Sequence, residues 1–193
     1  MASVRGDKFI NKTGDSFSQT KLSPKFGAVY QIIENKVSVF GNYMNGFKNN
    51  APTLQLDNTY SNFKPEHANQ YEFGLKTNLY KDIISATISY YNIDVKDKVM
   101  SDATFTTFRQ GGEVSFTANP IKGLNVIAGY SYNDSEVTRD ILDDSYVGYR
   151  PEEAGPRALV NLWASYAFTQ GNLKGLGIGF GGNHASEYQV LHR

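Results

Sequence analysis

Between Tyr71 and Val95 the sequence reads YEFGLKTNLYKDIISATISYYNIDV, and its alternation admits few folds. Tyr71, Phe73, Leu75, Thr77 and Leu79 fall on one face of an extended chain; Gln70, Glu72, Gly74, Lys76 and Asn78 fall on the other. After Tyr80-Lys81-Asp82 the pattern resumes, with Ile84, Ala86, Ile88 and Tyr90 opposite Ser85, Thr87 and Ser89. Side chains of a strand point to alternate faces. The stretch therefore predicts a hairpin with one apolar side and one watered side.

The rest of the chain repeats the device. The 193 residues suffice for one sizeable domain and predict nine strands, with no helix. The strands are Ser3–Ile10, Leu22–Ile33, Lys36–Phe47, the two of the hairpin, Phe105–Asn119, Gly123–Thr138, Pro156–Phe168 and Leu173 to Tyr188. Short connections are predicted at Glu34-Asn35, Tyr80–Asp82, Pro120–Lys122 and Thr169–Asn172, where Asn, Asp, Gly and Pro suit tight turns. Long ones are predicted at Asn11–Lys21, Lys48–Glu66, Lys98–Thr104 and Arg139–Gly155. Strict alternation of short and long puts all turns at one end and all loops at the other, as in outer-membrane barrels.

Strand length argues the same way. Several strands sustain alternation for ten or more residues. Strands of soluble proteins average about five or six, whereas a tilted membrane strand needs about 9–11. Tyr43, Phe47, Tyr71, Phe73, Tyr90, Tyr130 and Tyr132 gather near the long-loop end, and Tyr30, Tyr80, Tyr166 and Phe168 near the other. Two such belts suit two membrane interfaces. A mean hydropathy of −0.44 does not conflict, because half of each barrel strand faces a polar interior. The pattern alone also fits a soluble β-sandwich with its aromatics in the core. Glu72, Lys76, Glu113, Asn125 and Asn161, each opposite an apolar face, call for water, a partner or a plug on that side.

Most chemical motifs fail their context test. Gly177-Ile-Gly-Phe-Gly-Gly182 matches a dinucleotide fingerprint, but its glycines run along a strand with no helix after them. They read better as a smooth face that lets a neighbour or plug approach closely. His67, His184 and His192 stand singly, without ligand spacing. Asp143-Asp144 and Glu152-Glu153 have no calcium-loop pattern around them. The triplets Asn11-Lys-Thr13 and Asn133-Asp-Ser135 carry no weight as glycosylation sites. No Cys is present, which excludes disulfides and thiolate metal sites, and zero net charge gives no steering toward nucleic acid. No catalytic constellation, cofactor or metal site is expected. The candidates for ligand contact are Tyr60 and Phe63 in one long loop and Tyr146, Tyr149 and Arg150 in another, since aromatics beside a cation can cup an anionic or aromatic ligand. Interface-belt or loop-packing roles are the plainer reading of the same residues.

An ordered set of segments resembles TonB-dependent outer-membrane receptors of the siderophore-receptor group. KPEHANQYEFGLKTNLY, from Lys64 to Tyr80, is similar to a strand opening of that family, and ATISYYNIDVKDKV, with Tyr91, Ile93 and Val99, to the strand after it. SPKFGAVYQ from Ser23, the strand Asn35–Lys48 with Tyr43 and Phe47, GGEVSFTANPIKGLNVIAGYSYNDSEV, and Gly155-Pro156-Arg157 before ALVNLWASYAF extend the likeness over nearly the whole chain. The resemblance implies an all-β fold: a segment of an antiparallel up-and-down transmembrane β-barrel, residues 1–193 forming an incomplete barrel domain from its later part. It implies the outer membrane of a Gram-negative bacterium, contact with outer-membrane lipid, and capture of a ferric siderophore by loops and plug. It also implies TonB as a partner, acting through a plug domain that no stretch here resembles. No TonB-contacting box and no closing aromatic-terminated strand is matched either, so the segment alone is not expected to make a transport-competent barrel. A vitamin, haem or glycan as cargo, or a soluble β-sheet binding module, are the alternatives.

Overall fold

The computed structural model describes residues 1–11, 17–50, 53–54, 60–61, 63–80, 83–100, 103–140, 146–151 and 154–187. Its strands are β1 (Ala2–Asn11), β2 (Phe17–Ile33), β3 (Val37–Lys48), β4 (Thr53–Leu54), β5 (Tyr60–Ser61), β6 (Glu66–Leu79), β7 (Ile84–Met100), β8 (Ala103–Ala118), β9 (Leu124–Asp140), β10 (Ala158–Ala167) and β11 (Gly177–Ala185). Nine form one sheet in the order β1-β2-β3-β6-β7-β8-β9-β10-β11; β4 and β5 make a small ribbon inside the β3–β6 connection. Each long strand pairs antiparallel with the next long strand along the chain. The sheet is thus an up-and-down meander of nine strands, as the alternation predicts.

Two of the four expected long loops shrink. β2 begins at Phe17, so the first connection is confined to 12–16, and β7 and β8 run on to leave only 101–102 between them. The reason is physical: Ser18-Gln19-Thr20 and Ala103-Thr104 offer no alternation of apolar and polar residues, so the period of a strand cannot be read there. In β7, Lys96 and Asp97 together oppose Thr106, a bulge that further breaks the period, and Asp97 takes φ 56° there. At the other end, the β10–β11 connection occupies 168–176 and is longer than the expected Thr169–Asn172. Strands of 17 residues exceed the about 9–11 that a membrane requires, so β2, β7 and β9 overrun the belt described next.

The registers align an apolar belt. Tyr30, Val39, Leu75, Ile88, Val114, Tyr130 and Val160 form one row across seven strands. Thr77, Ala86, Phe116, Ala128 and Leu162 form the next. These side chains are not covered: Phe73 is 60% exposed, Ile88 52% and Leu162 49%. An apolar face this extensive is far beyond what a soluble surface carries. At the loop end the belt closes with a ladder of rings. Phe26 stacks near Tyr43 at 6.4 Å between centroids, and Tyr43 lies 5.0 Å from Tyr71. The Tyr43 hydroxyl donates to Asn69 Oδ1 at 3.1 Å, Asn45 Nδ2 donates to the same oxygen at 2.7 Å, and the Tyr90 hydroxyl donates to Gln110 Oε1 at 3.2 Å. Each phenol keeps its ring in the apolar zone and its oxygen in a polar one, which is the behaviour of a membrane-interface aromatic. Beyond that line the same face carries the Asp94–Lys96 ion pair, 3.4 Å apart. At the turn end, Tyr166 and Phe168 meet edge to face at 5.0 Å.

The opposite face is polar and fitted around glycines. Glu72 accepts from Asn42 Nδ2 at 3.0 Å, and Asn125 Nδ2 donates to Asn119 Oδ1 at 3.0 Å. Lys76 Nζ stands 5.0 Å from the centre of the Phe40 ring. That ring lies over Gly74, its direct partner in register, while on the apolar face Phe73 lies over Gly41. The glycine-rich β11 has the same purpose. A Cβ at Gly179 or Gly181 would come 2.8 or 2.7 Å from the Trp163 indole, so the neighbour that this smooth strand admits is an aromatic of β10. A Cβ at Gly74 would meet the Phe40 ring and the Ile88 carbonyl oxygen, the latter at 2.8 Å. Gly74→Ala is therefore expected to destabilise the barrel by about 1–3 kcal/mol through overpacking, read as an earlier urea-unfolding midpoint with an unchanged slope.

Candidate functional site

Two sizeable connections leave the same end of the sheet: 49–65 between β3 and β6, and 141–157 between β9 and β10. They are separated along the sheet by β6, β7 and β8. In the first, β4 and β5 pair through Thr53–Ser61 and Leu54–Tyr60, which puts Tyr60 on the ribbon. Phe63 follows it, half-buried, and Asn50 Nδ2 donates to Lys64 O at 2.9 Å to close the base of the connection.

The described parts of the second connection, 146–151 and 154–157, are folded onto the sheet. β9 overruns β10, whose pairing stops at Ala158–Tyr132, and the exposed edge of β9 is taken up by the returning chain. Asn133 N donates to Arg157 O at 2.7 Å, Val137 N to Tyr149 O at 2.9 Å and Gly148 N to Val137 O at 2.8 Å. Covering an edge this way satisfies groups that would otherwise invite another chain. The row beside it, Val95–Thr107–Val137, is the most buried place in the sheet, with Thr107 fully enclosed and Ser135 nearly so. Arg157 Nη2 also stands 3.5 Å from Asp134 Oδ1.

Arg150 is the centre of this fold-back. Its Nε donates to Gly155 O at 3.1 Å, Nη1 to Asn133 O at 3.1 Å and Nη2 to Gly155 O at 3.0 Å. Longer contacts of 3.4 Å run from Nη2 to Asn133 Oδ1, Ala154 O and Pro156 O. Burial, then the nearby Arg157, lowers its pKa from the ordinary arginine value without threatening its charge. Of the five sequence candidates, Arg150 turns into its own loop, Tyr149 is exposed, Tyr146 is half-buried, and the Tyr60–Phe63 pair sits in the other connection. The acidic pairs 143–144 and 152–153 lie outside the described residues. The triplet Asn133-Asp134-Ser135 turns out to be part of the clamp: Asn133 Oδ1 accepts from Ser135 Oγ at 2.6 Å, and its Nδ2 donates to the Tyr91 hydroxyl at 2.9 Å. Sequence reading gave Asn133, Tyr91 and Gly111 no part in the site, because only the register brings them together.

Cations collect on the polar face toward this end. Arg109 shares the face of Gly111 and Glu113, and Lys98, past the tyrosine line and so outside the membrane, is on the same side. Burial, with Arg109 next, pushes Lys98 down to about 8, with Glu66 opposing and Lys48 reinforcing the shift. Deeper in the wall, Thr87, Ser89, Glu113, Ser115, Ser131 and Asn161 line a hydrophilic bay of about 270 Å³. Among the described residues no group of three or more His, Asp or Glu side chains is placed to hold a metal ion. A cation-bearing polar recess of this kind can bind and guide an anion.

The family of TonB-dependent receptor-like β-barrels matches residues 1–190. The chain belongs to this family. The ferrichrome outer membrane transporter/phage receptor of Escherichia coli K12 is 30% identical over 166 residues, covering 82% of this chain and 21% of that protein. The metal-pseudopaline receptor CntO of Pseudomonas aeruginosa PAO1 is 27% identical over 188 residues, covering 92% of this chain and 25% of that protein. Among solved structures, the P. aeruginosa ferripyoverdine receptor bound to ferripyoverdine superposes with a TM-score of 0.71 at 18% identity, over 92% of this chain and 25% of that one. The Neisseria meningitidis FrpB iron transporter superposes with a TM-score of 0.70 at 21% identity, over 95% and 30%. The chain thus spans about a fifth to a quarter of the curated relatives' length. As a TonB-dependent receptor barrel segment it is a β-barrel wall of the bacterial outer membrane, with its apolar belt toward lipid and its polar face inward.

Proposed function

We propose that this segment is part of an outer-membrane receptor that imports ferric siderophores with energy delivered by TonB. The observation that carries the proposal is the two-faced meander: a lipid belt outside, a hydrated and cation-bearing wall inside, and folded connections at one end. The relatives named above as ferrichrome and metal-pseudopaline receptors support the choice of cargo. Within such a receptor this chain contributes wall and vestibule. Its neighbours in a larger barrel would pair with the edge strands β1 and β11, and a plug inside that barrel would carry the contact with TonB. Lys98, Arg109 and Lys48 would concentrate an anionic chelate at the mouth, because a positive field in a recess raises the local concentration of anions. Tyr149, Tyr146, Tyr60 and Phe63 are the proposed contacts for the chelate's organic shell. Binding followed by gated passage requires no catalysis.

The test is uptake in cells lacking the full-length receptor and then complemented with it. Radio-iron supplied as a ferric trihydroxamate or a ferric tris-catecholate chelate is expected to enter only with the receptor and a functional TonB system. Unchanged iron uptake, with loss of entry of a vitamin, haem or glycan, would transfer the reading to that cargo.

A further inference from the structure

We infer that Arg150 is a positioning residue, which pins residues 146–151 and 154–157 to the wall so that Tyr146 and Tyr149 are presented in a fixed place. Its use as a ligand-contact site rests on the function proposed above; the clamp itself does not. The sequence alone suggested a cation beside two tyrosines, ready for an anionic ligand. The geometry directs that guanidinium elsewhere. Among the described residues, its acceptors belong to the loop it closes or to Asn133 of β9.

The clamp reaches further than the loop. Tyr91, Gly111 and Asn133 stand in one row across β7, β8 and β9. Gly111 presents no side chain, so the Tyr91 phenol passes over β8 and its oxygen accepts from Asn133 Nδ2. Asn133 in turn offers its backbone and side-chain oxygens to Arg150. A continuous chain of polar contacts therefore runs from a central wall strand to the carbonyls of Ala154 and Gly155. A planar fork with fixed N–H directions suits several convergent carbonyls; an ammonium does not reproduce it. The consequence is a connection already ordered before any ligand arrives, which lowers the ordering cost of binding.

The test uses the full-length receptor in bilayers, with Arg150→Lys, Arg150→Gln and Tyr91→Phe variants. Hydrogen exchange at the Gly148 and Val137 amides is expected to quicken at least tenfold in both Arg150 variants, while the Leu75 amide in the belt is unchanged. Titration with the two ferric chelates named above is expected to show the same loss of affinity for Lys and Gln, with part of that loss in Tyr91→Phe. Retained affinity in Arg150→Lys, with unchanged exchange in both Arg150 variants, would overturn the inference and make the residue a charge contact for ligand. Absence of chelate binding in the wild type would count against the proposed cargo, and the exchange comparison would still decide the clamp.

Discussion

Replacing Leu75 by Lys is expected to cost about 2–4 kcal/mol of barrel stability, the range for a basic residue near the bilayer midplane. Leu75 sits in the belt row between Val39 and Ile88, four residues from Tyr71 at one border and four from Leu79 toward the other. A lysine there is flanked in its row by Val39 and Ile88 and must stretch along the apolar face to reach a headgroup, which reduces the cost but does not remove it. The adjacent Lys76 already carries the same charge. It faces inward, where water reaches it and the Phe40 ring lies 5.0 Å away. Lys76→Leu should therefore lose no more than that contact, about 0.5–1 kcal/mol. The measurement is urea unfolding of the full-length receptor in bilayers, followed by the heat-modifiable folded band. Equal losses at the two positions would mean that both faces meet the same medium, and the membrane assignment would fall.

That contrast was legible in the sequence because period two survives wherever one face is apolar. Tyr71 to Leu79 and Ile84 to Tyr90 announce their strands, their faces and the turn between them. Legibility fails where a strand leaves the belt. The outer ends of β2 and β8 carry no apolar–polar alternation in the sequence, so residues such as Thr20 and Thr104 read as loop although they are paired. The site suffers the same loss. Arg150, Tyr146 and Tyr149 stood out as an aromatic–cation group in a long connection. What Arg150 does could not be read there, since its partners lie at Asn133 and at carbonyls, which have no sequence signature. The glycine run of β11 was visible as a smooth face, whereas its occupant, Trp163, is set by a register that composition does not encode.

Gly111→Ala is expected to be the most damaging small substitution in the wall, about 2–4 kcal/mol from overpacking together with a lost hydrogen bond. A methyl at this position would run into the Tyr132 carbonyl oxygen of the neighbouring strand and stand 2.5 Å from the Tyr91 hydroxyl. The phenol could swing away, at the loss of its bond to Asn133. The carbonyl cannot swing, because it belongs to the β8–β9 ladder. Two comparisons separate these contributions. Gly46→Ala, where no atom lies within 4 Å, should leave stability unchanged or slightly raised. Tyr91→Phe combined with Gly111→Ala should recover little, because the ring carbon Cζ would still stand 2.6 Å from the methyl. Complete recovery would show that the side chain alone sets the cost. Exchange at the Gly148 amide should quicken in Gly111→Ala even though the substitution lies in β8 and the amide in the far connection. That follows if the gap at Gly111 is what lets β7 reach Asn133, and Asn133 is what holds Arg150. A stability loss without any change at Gly148 would leave the wall intact as an explanation and break the link between the wall and the loop.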